Sequence, residues 1–408
     1  MPTSWYYGWT MLVGVAIAQI VSWGILFYAF TVFQVPMQAE LGWSQVELSG
    51  AYSLALLCTG LAAVPVGRWL DHHGPRLLMS LGSILATLLI IAWAQVEHLA
   101  SFYLIMAGVG FVSAAVLYEP AFAIIAVWFR RLRARALTVL TFFGAFASFI
   151  FVPLSAWLNE LYGWRGALWA LALLLAYVTI PVHVLLLRRR PEDLGLQPDG
   201  EPLNPTDSHS NHAPERSITP RAALSELRFW LISFAFASST FAGVTLVVHI
   251  IPHLIAVGHA PGFAATVAGL FGLMSLIGRM IFGPLAERYS RARLSAWLLV
   301  LQALGLVFLI VGGASVLGAI LYVACFGAAS GTMTIMRAAL LAEHYGPASY
   351  GTINGFQNLV LTGARTIAPL GAGILAARLG GYTPLFWGLC GFLLLGAAAV
   401  RLALRRET

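Results

Sequence analysis

Glu119, Arg279 and Arg365 stand out as ionisable side chains set deep inside long apolar runs. A charge at mid-bilayer costs about 2.5–3.5 kcal/mol on insertion scales, so such residues face a wet cavity or a partner. Arg279 lies in LMSLIGRMIFGP. Its guanidinium stays charged, and its planar fork fits a carboxylate bidentately. Packing against helix ends near the following turn is the other role open to it. Arg365 lies in GFQNLVLTGARTIAPLG, where Asn354, Asn358 and Arg365 share one helical face. That polar stripe is expected to face a cavity. There Arg365 could bind a second carboxylate, pair with Glu119, or cap carbonyls freed near Pro369. Glu119 lies in AAVLYEPAFAIIAVWF beside Tyr118, which offers a donor to the same cavity. Burial favours the protonated form of a carboxyl group and a nearby Arg the ionised form. A group held between them can take up and lose a proton, or can serve as a permanent brace to an Arg. His249, in GVTLVVHIIPHL, lies four residues from His253. It can bind an anion when protonated, or rest as a core histidine. Two His at this spacing lack a third metal ligand, so neither a metal nor a cofactor is expected.

Helices long enough to cross a membrane must position these groups. Of the 408 residues, 60% are hydrophobic and only 10% charged. A bilayer core of about 30 Å needs about 20 apolar residues per helix. Twelve such runs are predicted, at 9–35, 46–70, 76–96, 100–129, 134–157, 164–187, 228–257, 263–287, 293–313, 315–341, 350–375 and 381–403. The fold class is therefore an all-α membrane protein of two pseudo-symmetric six-helix bundles, spanning 1–187 and 228–408. Between them, 188–227 is rich in Pro, Asp, Ser, His and Asn. That composition reads as a flexible linker, with a short interfacial helix near Arg221–Arg228. Pro36, Pro120, Pro153, Pro252 and Pro369 are expected to kink or break their helices.

The net charge is +7, and Lys is absent. Arg68, Arg76, Arg130, Arg131, Arg133, Arg135, Arg188 to Arg190, Arg288, Arg291, Arg293, Arg405 and Arg406 occupy turns of one parity, leaving Arg165 and Arg378 opposite. Positive charge on one side of every hairpin places both termini and the linker in the cytoplasm. The basic balance is thus a topology signal in the inner membrane, and nucleic acid is not an expected partner. Cys58, Cys325 and Cys390 lie singly in apolar runs and read as small core residues. The first run is expected to be retained rather than cleaved.

Both halves carry one signature after their second run: Gly67-x-x-x-Asp71-x-x-Gly74-x-Arg76, then Gly283-x-x-x-Glu287-Arg288. A duplicated bundle with a matching acidic–basic turn is the layout of a secondary transporter. The turn resembles the inter-helix signature of the major facilitator superfamily. Further likenesses are Tyr7-Gly8-Trp9, Leu41-Gly42-Trp43-Ser44, Trp128-Phe129 with Arg131, Arg133 and Ala136, Gly163-Trp164-Arg165, and Pro191-Glu192-Asp193-Leu194-Gly195. Together they are similar to the bacterial branch of monocarboxylate and oxalate–formate transporters, over nearly the whole chain. The resemblance implies that Arg279, four residues before Gly283, holds the substrate carboxylate. Ser275 stands where eukaryotic members often place an acid.

The expected function is secondary active, proton-coupled transport of a small organic anion such as a monocarboxylate, by a monomer in the bilayer. Arg279, Arg365, Tyr118, His249 and Asn358 would bind substrate, and Glu119 or His249 would carry the proton. Gly67, Asp71, Arg76, Arg131, Arg135, Gly283 and Glu287 would gate, with Asp71 making charged contacts to Arg130, Arg131 and Arg135. Proton-driven export of an amphipathic or acidic compound is the alternative, and a transport-inactive membrane sensor a third reading. No constellation for enzyme catalysis is evident: there is no Gly-x-Ser-x-Gly, phosphate loop or metal cluster.

Overall fold

The computed structural model describes residues 6–200 and 218–404. Residues 201–217 of the central linker and the Arg405–Arg406 pair therefore lie outside the described residues. Among the described residues, ten helices are long and apolar enough to cross a membrane. One of them, Arg133–Leu186, has 54 residues, about twice what a bilayer needs. It is two rods: Gly163 sits at φ 67, a left-handed conformation that interrupts the helix. The rods are α1 (Tyr7–Leu41), α2 (Gln45–His73), α3 (Pro75–Ala94), α4 (Leu99–Trp128), α5 (133–162), α6 (164–186), α7 (Leu227–Ala256), α8 (Pro261–Arg288), α9 (Arg291–Gly312), α10 (Val316–Tyr345), α11 (Tyr350–Arg378) and α12 (Tyr382–Leu404). These rods follow the twelve runs of the sequence, and a short helix, Pro220–Ser225, precedes α7.

Local sequence explains where the rods stop. Gly42 closes α1 at φ 72, and Ser44 with Glu47 forms a capping box that opens α2. Gly74 at φ 78 ends α2, and Pro75 begins α3 without a wasted N–H. The Gly163-Trp164-Arg165 motif ties three helix ends together. Trp164 Nε1 and Arg165 Nε donate to Glu40 at 2.6 and 2.8 Å, while the Arg165 Nη groups reach the Ala94 and Val96 carbonyls at 2.8 and 2.9 Å.

Two compact units result. The first comprises Met1–Ile218 with Tyr345–Leu359, and the second Thr219–His344 with Val360–Thr408. In the first, α2 packs on α4, and α1 on α5 and α6. Trp93, Phe30, Phe33 and Phe102 fill its core. In the second, α12 packs on α9 and α7, and α8 on the π-helical turn Val323–Gly327 of α10.

Candidate functional site

In the first unit the Glu119 position is made by a broken helix. α4 is interrupted at Leu117 (φ −84, ψ −152), and a new helical segment starts at Tyr118. Pro120 has no N–H to offer the Val116 carbonyl four residues back. Gln19 of α1 supplies the missing donor: its Nε2 reaches the Val116 carbonyl at 2.7 Å and the Leu117 carbonyl at 3.3 Å. Gln19 itself is fully buried. Glu119 therefore sits in the first turn of a helix, where the positive end of the backbone dipole favours a carboxylate. The amide of Asn354, in the part of α11 belonging to this unit, donates to the Glu119 carboxylate. Tyr118 packs at a tilt against Trp23, with ring centroids 4.9 Å apart. Asn358 is buried one turn beyond Asn354.

The gating residues of α2 meet the start of α11, about one turn before Asn354. A Cβ added at Gly67 would run into the Gly351 carbonyl, so α2 and the start of α11 touch backbone to backbone. Asp71 departs from expectation. Its two carboxylate oxygens accept from the backbone N–H groups of Gly351 and Thr352, both at 2.8 Å. The unsatisfied N–H groups of a helix start are fixed donors, whereas long Arg side chains would lose rotamer freedom to reach the same oxygens. Other contacts surround the expected arginines. Asp199 accepts from the backbone N–H groups of Arg130 and Arg131 at 3.2 and 2.6 Å. Arg135 lies over the Trp9 ring at 5.9 Å. Arg76 Nε donates to the Val184 carbonyl at 2.8 Å. Asp71, Arg130, Arg133, Arg189 and Arg190 do line a common cavity of about 340 Å³. Gly283 is buried within α8, and the Glu287 side chain lies outside the described residues.

The second unit holds a cavity of about 280 Å³ within the membrane-spanning bundle, lined among others by Ser239, Thr240, Ser330, Thr334, Arg337 and Arg365. None of its lining residues is acidic. Arg337 corrects the sequence reading, which named three deep ionisable residues and passed over a fourth. It is only 5% exposed. The signal was present in TMTIMRAALL, an Arg inside an apolar run, close to the end of that run. Gln302 of α9, fully buried, donates to the hydroxyls of Ser239 and Ser330, both at 2.9 Å, and so fixes two walls of the cavity. Arg279 is not among the lining residues. Its Nε donates to the Gly331 carbonyl at 3.0 Å, where α8 and α10 meet so closely that a Cβ on Gly278 would strike the Ala328 carbonyl. His249 also stays outside the lining, its ring 5.5 Å from that of Tyr382 on α12.

A duplicated set of membrane helices with the repeated acidic turn agrees with the comparison to known families. The Major Facilitator Superfamily model matches residues 15–259 and 250–408. The chain belongs to the Major Facilitator Superfamily. It is a multi-pass membrane transporter protein, similar to "Monocarboxylate transporter 13" of Rattus norvegicus, 26% identical over 97% of this chain and 88% of the relative. "Monocarboxylate transporter 12" of the same organism is 23% identical over 98% and 87%. An "MFS-type transporter" of Gibberella moniliformis is 25% identical over 99% and 91%. Solved superfamily structures share the fold. The E. coli fucose:proton symporter FucP superposes with a TM-score of 0.71 at 14% identity, covering 98% of this chain and 99% of that one. A bacterial homologue of the iron transporter ferroportin, in an outward-facing state, gives 0.73 at 16% identity over 97% and 99%.

Proposed function

We propose that this superfamily member moves small organic anions across the inner membrane by alternating access, coupled to protons, as a monomer with both termini cytoplasmic. The observation that carries the reading is the cavity of the second unit. Two guanidinium groups and several hydroxyls line it, and no carboxylate does. A guanidinium in a low-dielectric cavity recruits an anion and orients it through its fork. The names of the relatives, monocarboxylate transporters, support a carboxylate as that anion.

Arg365 and Arg337 hold the anion in this reading. Arg279, the clamp that the resemblance implies, stands outside this lining with its Nε held on the Gly331 carbonyl. Glu119, at the break of α4, carries the proton, with His249 as the second candidate. Coupling has an electrostatic rationale: moving one negative charge against an interior-negative potential costs about 2.3 kcal/mol per 100 mV, and a co-transported proton removes that cost. Gly67 and Asp71 hold the start of α11 in one state, and alternation requires that hold to be released. Membership of a transporter superfamily supports action by binding and movement.

Uptake of a radiolabelled carboxylate panel into proteoliposomes, with and without a pH gradient, tests the reading. Accumulation that follows the inward proton gradient supports it. Uptake of cationic or neutral amphipathic compounds, with none of any carboxylate, would replace it.

A further inference from the structure

We infer that the first unit holds a second binding site, for a phosphate ester, in its cavity of about 340 Å³. Arg130, after α4, and Arg189, after α6, both line it. Both side chains are exposed, and among the described residues neither guanidinium has a hydrogen-bond, ion-pair or ring partner. Arg133 lines the same cavity but is already spent. Its Nε and Nη2 donate to the Phe129 and Ala126 carbonyls at 2.9 and 2.8 Å.

The backbones that carry the two free guanidinium groups are fixed. Asp199 accepts from the N–H groups of Arg130, Arg131 and Leu132 at 3.2, 2.6 and 3.2 Å. That carboxylate touches the turn, yet it pins the backbone and leaves the Arg130 side chain over. The segment before Arg189 is held by Tyr7, whose hydroxyl donates to the Leu186 carbonyl at 2.8 Å, and by Trp128 Nε1, which reaches the Arg188 carbonyl at 3.4 Å. The Arg189 stem lies over Gly74, where an added Cβ would strike its Cγ. Two polar segments, including the end of the Pro191-to-Gly200 stretch, are thus ordered around arginines that the protein itself does not pair. A site ordered in advance binds without the cost of arranging it.

The lining selects the ligand. One fork matches a carboxylate, whereas a phosphate has oxygens for two. Leu70, Ile124, Val127 and Tyr350 give the cavity apolar walls, which suit the carbon part of an ester better than bare phosphate. Two acids also line it. Asp71 is committed to the N–H groups of Gly351 and Thr352, and Glu192 is exposed and outnumbered. Phosphate esters come from the bilayer as anionic headgroups, which basic pockets at helix ends recognise, or from solution. Tyr350 immediately precedes the N–H pair that holds Asp71. An occupant therefore touches the start of α11 and favours the state in which Asp71 is docked.

The full-length protein, delipidated in a neutral detergent at fixed ionic strength, tests the site. Three probes are titrated: phosphatidylglycerol, diacylglycerol with the same tails and no phosphate, and soluble glycerol 3-phosphate. A ligand of the folded state raises the unfolding midpoint as its concentration exceeds its Kd, so the midpoint reports affinity. Phosphatidylglycerol, glycerol 3-phosphate or both should raise it by several degrees, and diacylglycerol should not. A rise with phosphatidylglycerol alone makes the ligand a lipid, and a rise with glycerol 3-phosphate alone makes it a soluble ester. A rise with both shows that the headgroup suffices. Arg130→Gln and Arg189→Gln should each weaken the binding probe about tenfold or more. Arg293→Gln removes an exposed arginine of the second unit and should leave the affinity unchanged. No rise with either ester, or an equal rise with diacylglycerol, overturns the inference. Equal weakening by Arg293→Gln also overturns it, because total charge rather than this cavity would then attract the anion. Should one lining variant fail to fold, the other and the wild-type comparison with diacylglycerol still decide.

Discussion

Asp71 docks on the start of a neighbouring helix and Glu119 stands in the first turn of its own, and the two face different tests. Asp71 docks on two backbone N–H groups of α11. Asp71→Asn keeps the shape but offers one acceptor oxygen and no charge. The loss should be about 1–2 kcal/mol from the state that holds this contact. Transport should slow several-fold with normal membrane insertion, measured as initial uptake per folded molecule. A wild-type rate would leave Asp71 as a helix dock with no part in gating. Glu119→Gln keeps the position beside Asn354 but cannot exchange a proton. Accumulation driven by a pH gradient should vanish while anion counterflow persists, because exchange needs no net proton movement. A variant that still accumulates substrate would transfer the coupling role to His249. Asp71 stood out in the sequence by its place in the repeated turn, but its partners did not. They lie 280 and 281 residues away, and no periodicity encodes a backbone donor at that distance.

The elements were legible wherever the bilayer dictates them. Each rod needs its own apolar run, so the twelve runs show directly in composition, and Gly42, Gly74 and Gly163 mark ends that only a left-handed residue can make. The break in α4 was half visible. Pro120 announced a disturbance, yet 100–129 read as one rod, because the residue that stabilises the break sits on another helix. Gln19 looks like one tolerated amide in an apolar run until its two carbonyl partners are known. Gln19→Leu should strand those carbonyls in the bundle interior at a cost of about 1–3 kcal/mol per group. The melting temperature in detergent should fall by several degrees, and the proton-driven component of uptake should fall more than counterflow, since Glu119 starts the displaced segment. An unchanged melting temperature would show that water replaces the amide at no cost. Arg337 was missed for the opposite reason: its signal was local, but Arg near run ends is usual in this chain.

For the whole molecule the arginine pattern makes the topology testable. Reporter fusions after Arg190 and after Arg406 should both read cytoplasmic, since Arg clusters flank both points. Opposite locations would break the even count of crossings on which the two-unit architecture depends. The same residue type has a further consequence inside the cavity of the second unit. Its two cations are both guanidinium groups, which do not deprotonate in the range a cell experiences. The binding charge is therefore fixed. Substrate affinity plotted against pH should be level once the ligand is fully ionised, while the rate of net accumulation should still climb as the outside is acidified. Binding and driving force then titrate independently: a cell that shifts its external pH changes how much anion it gathers without changing which anion it recognises.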